Sequence, residues 1–136
     1  MPHLVFVYGT LKRGFPNHHV MQAGTFLGEA RTLERYPMIV QGHHFSPVML
    51  PEPGSGHRII GEIWEVDDAL LTVLDRLESV HLPTGYIRET IKVEMAGRSF
   101  DAQVYFKARD RVEIVHSEPH ADYQDRRYIR AADRKP

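Results

Sequence analysis

Short alternating and apolar runs dominate the chain, and they predict a sheet. Residues 3–8 form an apolar run that ends at Gly9, which is typical of a buried strand followed by a turn. Residues 29–40 are also β-rich, with a break at Tyr36-Pro37, and residues 58–66 carry apolar side chains on both faces. Residues 51–56 contain two prolines and two glycines and are predicted to form a loop.

A β-hairpin is predicted in the second half of the chain. Residues 86–95 alternate between apolar and polar side chains. The inward positions of this run are Ile87, Ile91, Val93 and Met95. Residues 96–98 (Ala-Gly-Arg) supply a turn, and residues 100–106 alternate again, so the two runs are predicted to pair as antiparallel strands.

The clearest helical period begins after residue 66. Asp67 is a good N-cap, and apolar residues recur behind it at helical spacing. These residues are Leu70, Leu71, Val73, Leu74 and Leu77. A shorter helix is predicted at residues 18–21, with Asn17 as its cap. Residues 108–136 are polar with scattered aromatics and show no clear period, so they are predicted to form a less regular C-terminal tail.

Mostly antiparallel strands with one principal helix indicate an α+β fold. We expect a small curled sheet or β-barrel with the helix packed against it, and the pattern leaves the closure of the barrel open. The length of 136 residues predicts a single domain over residues 1–136. The contents of 42% hydrophobic and 26% charged residues are ordinary for a globular protein.

Composition argues against several classes of protein. The net charge of −1 gives no electrostatic reason to expect nucleic acid or an acidic membrane as a partner. No apolar run is long enough to cross a bilayer, and the N-terminus lacks the cationic region of a signal peptide. The absence of cysteine removes disulfides, thiol nucleophiles and thiolate metal sites. We therefore expect a soluble, cytoplasmic protein whose partner is a small molecule, and the oligomeric state stays open.

Metal and nucleophile motifs are not found. Nine histidines include the adjacent pairs His18-His19 and His43-His44, but neighbouring residues do not share one face of a strand or helix. No His-Glu-x-x-His motif occurs, so no metal or other cofactor is expected, and a three-histidine site built from distant loops is the alternative. The serines show no nucleophile elbow, and the glycines match no nucleotide-binding loop.

One carboxylate falls on the apolar side of the predicted helix. At about 100° per residue, Glu78 projects between Leu71 and Leu74, at the C-terminal end of the helix. Burial and the negative end of the helix dipole both raise the pKa of a carboxylate in that position, which suits proton transfer near neutral pH. The alternative is that the helix end frays and the side chain turns to solvent. Glu89 and Glu62, on apolar faces of their strands, are weaker candidates.

The first predicted strand runs into a turn that is suited to binding anions. The turn comprises Tyr8, Gly9, Thr10 and Leu11. A turn of this kind that follows a β-strand leaves backbone N–H groups unpaired, and these groups can bind a carboxylate or a developing oxyanion. The alternative is a simple corner, in which Thr10 caps the turn and Leu11 enters the core.

These motifs together resemble the gamma-glutamyl cyclotransferase superfamily. Its Tyr-Gly-(Thr/Ser)-Leu signature matches residues 8–11, and its glutamate behind a Leu-Asp-x-(Phe/Leu) helix end matches residues 74–78. The strand-to-helix entry at residues 61–67 and the Tyr86-x-Arg88 motif also match. The likeness covers roughly residues 4–106, and a weaker similarity extends into the tail.

The resemblance implies an activity and assigns roles to residues. Members of the superfamily release 5-oxoproline from gamma-glutamyl compounds with the glutamate as general acid/base, a role that it transfers to Glu78. It transfers substrate binding to residues 8–11. The extension through residues 12–18 (Lys-Arg-Gly-Phe-Pro-Asn-His) looks most like the gamma-glutamylamine branch, which acts on gamma-glutamyl-epsilon-lysine. The alternative is a non-catalytic binder of a gamma-glutamyl or other small carboxylate metabolite.

Overall fold

A closed β-barrel forms the centre of the protein. In the computed structural model, which describes residues 2–134, the strands form one sheet in the order β1-β5-β2-β6-β7-β4-β3. The strands are β1 (His3–Val7), β2 (Thr25–Tyr36), β3 (Met38–Gln41), β4 (Ser46–Met49), β5 (His57–Val66), β6 (Ile87–Met95) and β7 (Arg98–Phe106). A parallel pairing of β1 with β7, with Val5 opposite Gln103, closes five strands into a barrel. The predicted α+β fold on a curled sheet or barrel is confirmed, and the barrel is closed.

The two remaining strands extend the barrel wall. β3 and β4 form an antiparallel hairpin, and β4 joins β7 through a parallel pairing of Met49 with Phe106. Sequence analysis missed β4, because a run of four residues that contains Pro47 carries too little pattern to be identified as a strand.

The two faces of the barrel wall carry separate apolar clusters. The interior cluster includes Phe6, Ile59 and Val104, and the predicted hairpin contributes Ile91 and Val93. Outside the barrel, α1 (Asp68–Leu77) packs Leu70, Leu71 and Leu74 against residues of β1, β5 and β7, among them Val5, Trp64 and Tyr105. None of the helices in residues 2–134 combines the length and apolarity needed to span a membrane.

The principal helix begins as predicted, but its buried stripe is narrower. The Asp67 carboxylate accepts a hydrogen bond from the N–H of Leu70 at 2.8 Å, so Asp67 is the N-cap. The expectation that Val73 and Leu77 face the core is wrong, since their exposed fractions are 49% and 44%. The barrel covers only the strip of the helix that carries the other three apolar residues.

The predicted short helix is a 3-10 helix, His18–Ala23, and the predicted role of Asn17 is wrong. The Asn17 side chain makes no capping hydrogen bond. Its Nδ2 instead donates to Thr10 Oγ1 at 3.0 Å and to the Tyr128 hydroxyl at 3.1 Å. The amide therefore ties the loop after β1 to the C-terminal tail.

The tail has no long regular element in its described part, as predicted, yet long-range hydrogen bonds hold it against the barrel. The N–H groups of His116 and His120 donate to carbonyls of β3 at 2.8 and 2.9 Å, and the N–H of Ile129 donates to His44 O at 2.9 Å. Tyr123 is buried in the interior cluster. The tail consequently reaches the end of β1, where Tyr128 meets the loop.

Candidate active site

A cavity of ≈ 250 Å³ lies beside the C-terminal end of β1. Its wall is formed by the loop of residues 8–11, the β3–β4 hairpin with its turn, the end of α1, Tyr86 just before β6, the end of β7 and the tail. The volume is close to the lower end, about 300 Å³, of ordinary ligand pockets, so the cavity fits a small metabolite. Glu78 and residues 8–11, which are far apart in the chain, both line this cavity.

Glu78 occupies the position directly after the last residue of α1. Its backbone N–H still bonds to Leu74 O at 2.9 Å, so the chain keeps its helical direction and the side chain lines the cavity. Burial raises the pKa of Glu78 to about 7, and the charge of Lys107 lowers it by a smaller amount. In residues 2–134 no group donates a hydrogen bond to this carboxylate. The carboxylate is therefore desolvated and available to a ligand.

The residue three positions before Glu78 anchors this end of the helix. The Tyr105 hydroxyl donates to Asp75 Oδ1 at 2.8 Å, and Arg88 Nε lies 2.9 Å from the same oxygen. These contacts connect the end of α1 to β6 and β7. They also explain the Tyr86-x-Arg88 motif, since Arg88 holds Asp75 while Tyr86 lines the cavity.

A tight loop of residues 79–85 returns the chain from Glu78 to β6. The N–H of Tyr86 donates to Glu78 O at 2.9 Å. A Cβ atom on Gly85 would lie 1.8 Å from Ser79 O, so only glycine fits at this position. The Tyr86 hydroxyl then donates to Pro47 O at 3.1 Å, which joins this loop to β4.

The loop of residues 8–11 presents backbone donors, as its sequence predicts. The N–H groups of Gly9, Thr10 and Leu11 form no hydrogen bond with an acceptor in the described part of the chain. The carbonyls of Gly9 and Thr10 accept from Lys12 N at 3.1 Å and from Asn17 N at 2.9 Å. The loop is thus held through its carbonyls, and its N–H groups are left to a ligand.

The side chains of this loop do less than its backbone. Leu11 is buried in the cluster between α1 and the barrel. The Tyr8 hydroxyl donates to Tyr105 O at 2.7 Å and accepts from Met49 N at 3.1 Å. Burial, and secondarily the charge of Glu78, raises the pKa of Tyr8, so its hydroxyl stays neutral. The Tyr8 ring lines the cavity, while its hydroxyl proton is committed to the backbone.

The two rival glutamates lie elsewhere. The Glu62 carboxylate is buried, but it accepts from Arg13 N, Arg13 Nε and Trp64 Nε1 at 3.1, 3.3 and 3.1 Å. Glu89 is exposed on β6. Neither residue lines the cavity. Glu62 therefore has a structural role, and Glu89 is a surface residue.

Sequence reasoning missed several residues of the cavity wall. Lys107 follows β7, Glu113 belongs to the tail, and His43 and His44 lie in the turn between β3 and β4. None of these four residues belongs to a recognisable motif. Within residues 2–134, no group of three or more histidine or acidic side chains is arranged to hold a metal ion.

The fold and the site define a class of protein. It is a small closed barrel in which one desolvated glutamate shares a metabolite-sized cavity with a loop of free backbone N–H groups. The profile of the family described as "Gamma-glutamyl cyclotransferase, AIG2-like" matches residues 5–125, and the chain belongs to this family.

Relatives in this family carry a more specific name. The "Gamma-glutamylaminecyclotransferase" of Bos taurus is 43% identical over 128 residues, which cover 89% of this chain and 74% of that protein. The protein of the same name from Homo sapiens is 45% identical over 97 residues, and that match spans 68% of this chain but only 62% of the human protein. The crystal structure of an AIG2-like protein from Mus musculus superimposes with a TM-score of 0.84 at 35% identity, covering 98% of this chain and 99% of that one. The prediction of a gamma-glutamylamine cyclotransferase-like enzyme is confirmed by these relatives.

Proposed function

We propose that this protein converts a gamma-glutamyl amine into 5-oxoproline and a free amine, with Glu78 as general acid/base. The observation that carries the proposal is the meeting of a carboxylate of pKa about 7 with the free N–H groups of residues 8–11 in one cavity. The names of the relatives support a gamma-glutamylamine as substrate. Gamma-glutamyl-epsilon-lysine is the first candidate, because the sequence of residues 12–18 resembles the branch that acts on it.

The nucleophile in the proposed reaction belongs to the substrate. The α-amine of the glutamyl group attacks its own γ-carbonyl carbon and closes a five-membered lactam, so no covalent enzyme intermediate is needed. The cavity holds the glutamyl chain in a folded shape that brings these atoms together, which can lower the barrier by several kcal/mol. The α-amine is an ammonium at neutral pH, and Glu78 accepts the proton that it must lose before or during attack.

Collapse of the tetrahedral intermediate breaks the bond to the leaving nitrogen. Glu78 returns its proton to that nitrogen, so the amine departs in a neutral form and becomes protonated in water. The α-ammonium loses two protons in all and the leaving nitrogen gains two, so the reaction consumes no water. The N–H groups of Gly9, Thr10 and Leu11 bind either the oxyanion of this intermediate or the substrate α-carboxylate.

Direct assay of the products tests the proposal. Purified protein is incubated, without added metal, with gamma-glutamyl-epsilon-lysine and a panel of gamma-glutamyl amines and dipeptides, and 5-oxoproline is measured by mass spectrometry. We expect release from the lysine conjugate. Release from a different member alone would keep the reaction and change the substrate. A folded protein that is thermally stabilised by these compounds without releasing 5-oxoproline would contradict the enzyme and indicate a binding protein.

A further inference from the structure

Three charged side chains of the cavity wall have no part in the mechanism above, namely Lys107, Glu113 and Arg134. Arg134 already donates to Ile129 O at 3.1 Å and to the Tyr128 hydroxyl at 3.3 Å, which leaves Lys107 and Glu113. Lys107 follows β7, and its ammonium lies 5.1 Å from the centre of the Tyr86 ring, within the range of a cation–π contact. Glu113 lies in the tail, and its N–H donates to Gln41 Oε1 at 2.9 Å. This hydrogen bond holds Glu113 beside β3, where the residue contributes to the wall of the same cavity.

The Lys107 ammonium has no carboxylate partner in the described part of the chain. Lys107 is half-buried, yet no acidic group of residues 2–134 forms an ion pair with it. Burial lowers the pKa of Lys107, and the charges of Glu113 and Glu78 act in the opposite direction. The charges of both carboxylates thus act on the Lys107 ammonium, but neither carboxylate forms an ion pair with it. A partly desolvated cation without a partner is costly, and a carboxylate on the ligand would supply that partner.

We infer that Lys107 and Glu113 form a subsite for the amino-acid head of the leaving amine. In this arrangement Lys107 pairs with the α-carboxylate of that head and Glu113 pairs with its α-ammonium. The inference rests on the proposed function and deepens it. Such a subsite favours a leaving group that is an amino acid joined through its side-chain amine, and it disfavours a plain alkylamine.

The length of the leaving amine suits a subsite away from the scissile bond. Glu78 must reach the scissile nitrogen, and Glu78, Lys107 and Glu113 all line the one cavity of ≈ 250 Å³. A lysine side chain separates its amine nitrogen from its Cα by roughly 6 Å when extended, as five bonds of ordinary length require. The amino-acid head is therefore carried away from Glu78 toward another part of the cavity wall, which we assign to Lys107 and Glu113.

Matched substrates separate this subsite from the catalytic centre. The first substrate is gamma-glutamyl-epsilon-lysine. In the second, the α-carboxylate of the lysine part is a carboxamide, and in the third, the α-amine of the lysine part is acetylated (the Nα-acetyl form). The fourth is gamma-glutamyl-n-pentylamide, which lacks both of these groups. The quantity measured is the ratio of kcat/KM between two substrates for one enzyme. A change in the pKa of Glu78 affects all four substrates alike, so the ratio isolates recognition of the head groups.

Three variants and one control complete the test. We expect Lys107→Met to reduce the preference for the isodipeptide over its α-carboxamide by about tenfold or more, mainly through KM, and Lys107→Arg to retain most of it. Glu113→Gln, at a residue that is exposed to solvent, is expected to reduce the preference over the Nα-acetyl form. The control is Lys92→Met, at an exposed lysine of β6 that forms an ion pair with Asp101, and it leaves both ratios unchanged.

The outcomes distinguish this inference from the proposed function. If all four substrates release 5-oxoproline and neither ratio changes in the Lys107 and Glu113 variants, the subsite is wrong and the reaction stands. An unchanged ratio is also the result expected if Lys107 binds the glutamyl carboxylate, because all four substrates carry that group. If the folded wild-type protein releases 5-oxoproline from none of them, the proposed function is wrong and the subsite is wrong with it.

Discussion

At Glu78 the requirements of catalysis and of folding act in opposite directions. Burial raises the pKa of this carboxyl from 4.5 to about 7, so the folded protein holds the proton more tightly than the unfolded chain does. The resulting stability is present at low pH and is lost as the pH rises from about 4.5 to about 7. The ionised form, which the proposed mechanism uses as the base, is the form that the fold disfavours.

Removing this carboxylate should abolish turnover without unfolding the protein. We expect Glu78→Gln to lower kcat by a factor of about 10³, since general acid/base groups contribute roughly 10² to 10⁴ in rate. KM should change by less than about fivefold, because glutamine keeps the size of the side chain and the loop of residues 8–11 is untouched. Release of 5-oxoproline under saturating substrate measures the effect. Glu89→Gln is the matched control on β6, and near-normal activity of a folded Glu78→Gln protein would contradict the assignment.

The same substitution should increase stability at alkaline pH. Glu78→Gln removes the cost of ionising a buried carboxyl, so its free energy of unfolding at pH 8 should exceed that of the wild type by about 1 to 3 kcal/mol. Below pH 4.5 the carboxyl is protonated in both states, and the difference should disappear. Urea denaturation at pH 8 and at pH 4 measures both values. An equal difference at the two pH values would show that the pKa of Glu78 is not raised.

At the scale of elements, the site depends on close contact between loops that follow different strands. A Cβ atom on Gly9 would lie 2.6 Å from Pro47 Cγ, a rigid ring atom of β4. Pro47 O also accepts a hydrogen bond from the Tyr86 hydroxyl, so one residue of β4 positions both the loop of residues 8–11 and the residue that precedes β6. The short strand that sequence analysis missed is therefore part of the support of the site.

Substitution of Gly9 tests this contact. Gly9→Ala should displace the loop of residues 8–11 from β4, lowering kcat/KM by about tenfold or more and the free energy of unfolding by roughly 1 to 3 kcal/mol. Thermal denaturation and the 5-oxoproline assay measure the two effects. Pro47→Ala removes the clashing Cγ but keeps the carbonyl that Tyr86 uses, so the double variant should recover part of both losses. If the double variant recovers nothing, the contact with Pro47 is not the reason for glycine at this position.

At the scale of the whole molecule, the tail completes both the core and the site. Tyr123 lies in the barrel interior with a hydroxyl that has no hydrogen-bond partner in residues 2–134. Tyr128 lines the cavity, where its hydroxyl accepts from Asn17 Nδ2 at 3.1 Å. Two tyrosines of one irregular segment thus differ in role, one filling the core and the other joining the tail to the loop of residues 8–11.

A pair of identical substitutions distinguishes these roles. Tyr128→Phe removes one of the two acceptors of the Asn17 amide and should lower kcat/KM several-fold while changing stability by less than about 1 kcal/mol. Tyr123→Phe removes a buried, unpartnered hydroxyl and should raise the free energy of unfolding by about 1 kcal/mol with activity unchanged. Urea denaturation and product release on both variants give the comparison. Equal effects of the two substitutions on activity would contradict the division of roles within the tail.

Local pattern made a large part of the fold predictable. The alternation in residues 86–106, the Asp67 cap and the buried strip of Leu70, Leu71 and Leu74 depend on neighbours within a few residues, and each appears in the structure. The projection of Glu78 onto the buried side of the helix is of the same kind, since it follows from helical geometry alone. Predictions failed where a distant partner intervened, as at Asn17, whose amide bonds to the loop and the tail in place of a helix end.

The sequence by itself determined the kinds of element, the turn with unpaired N–H groups and the glutamate on the buried side of the helix, because these follow from residue type and short-range spacing. Only the tertiary structure decided that β1 pairs with β7 to close the barrel and that the turn and Glu78 share one cavity. It also brought Lys107, Glu113 and Tyr128 to the wall of that cavity. The physical reason is that strand register and tail docking depend on contacts between residues distant in the chain, and neither periodicity nor composition records which distant partner is chosen.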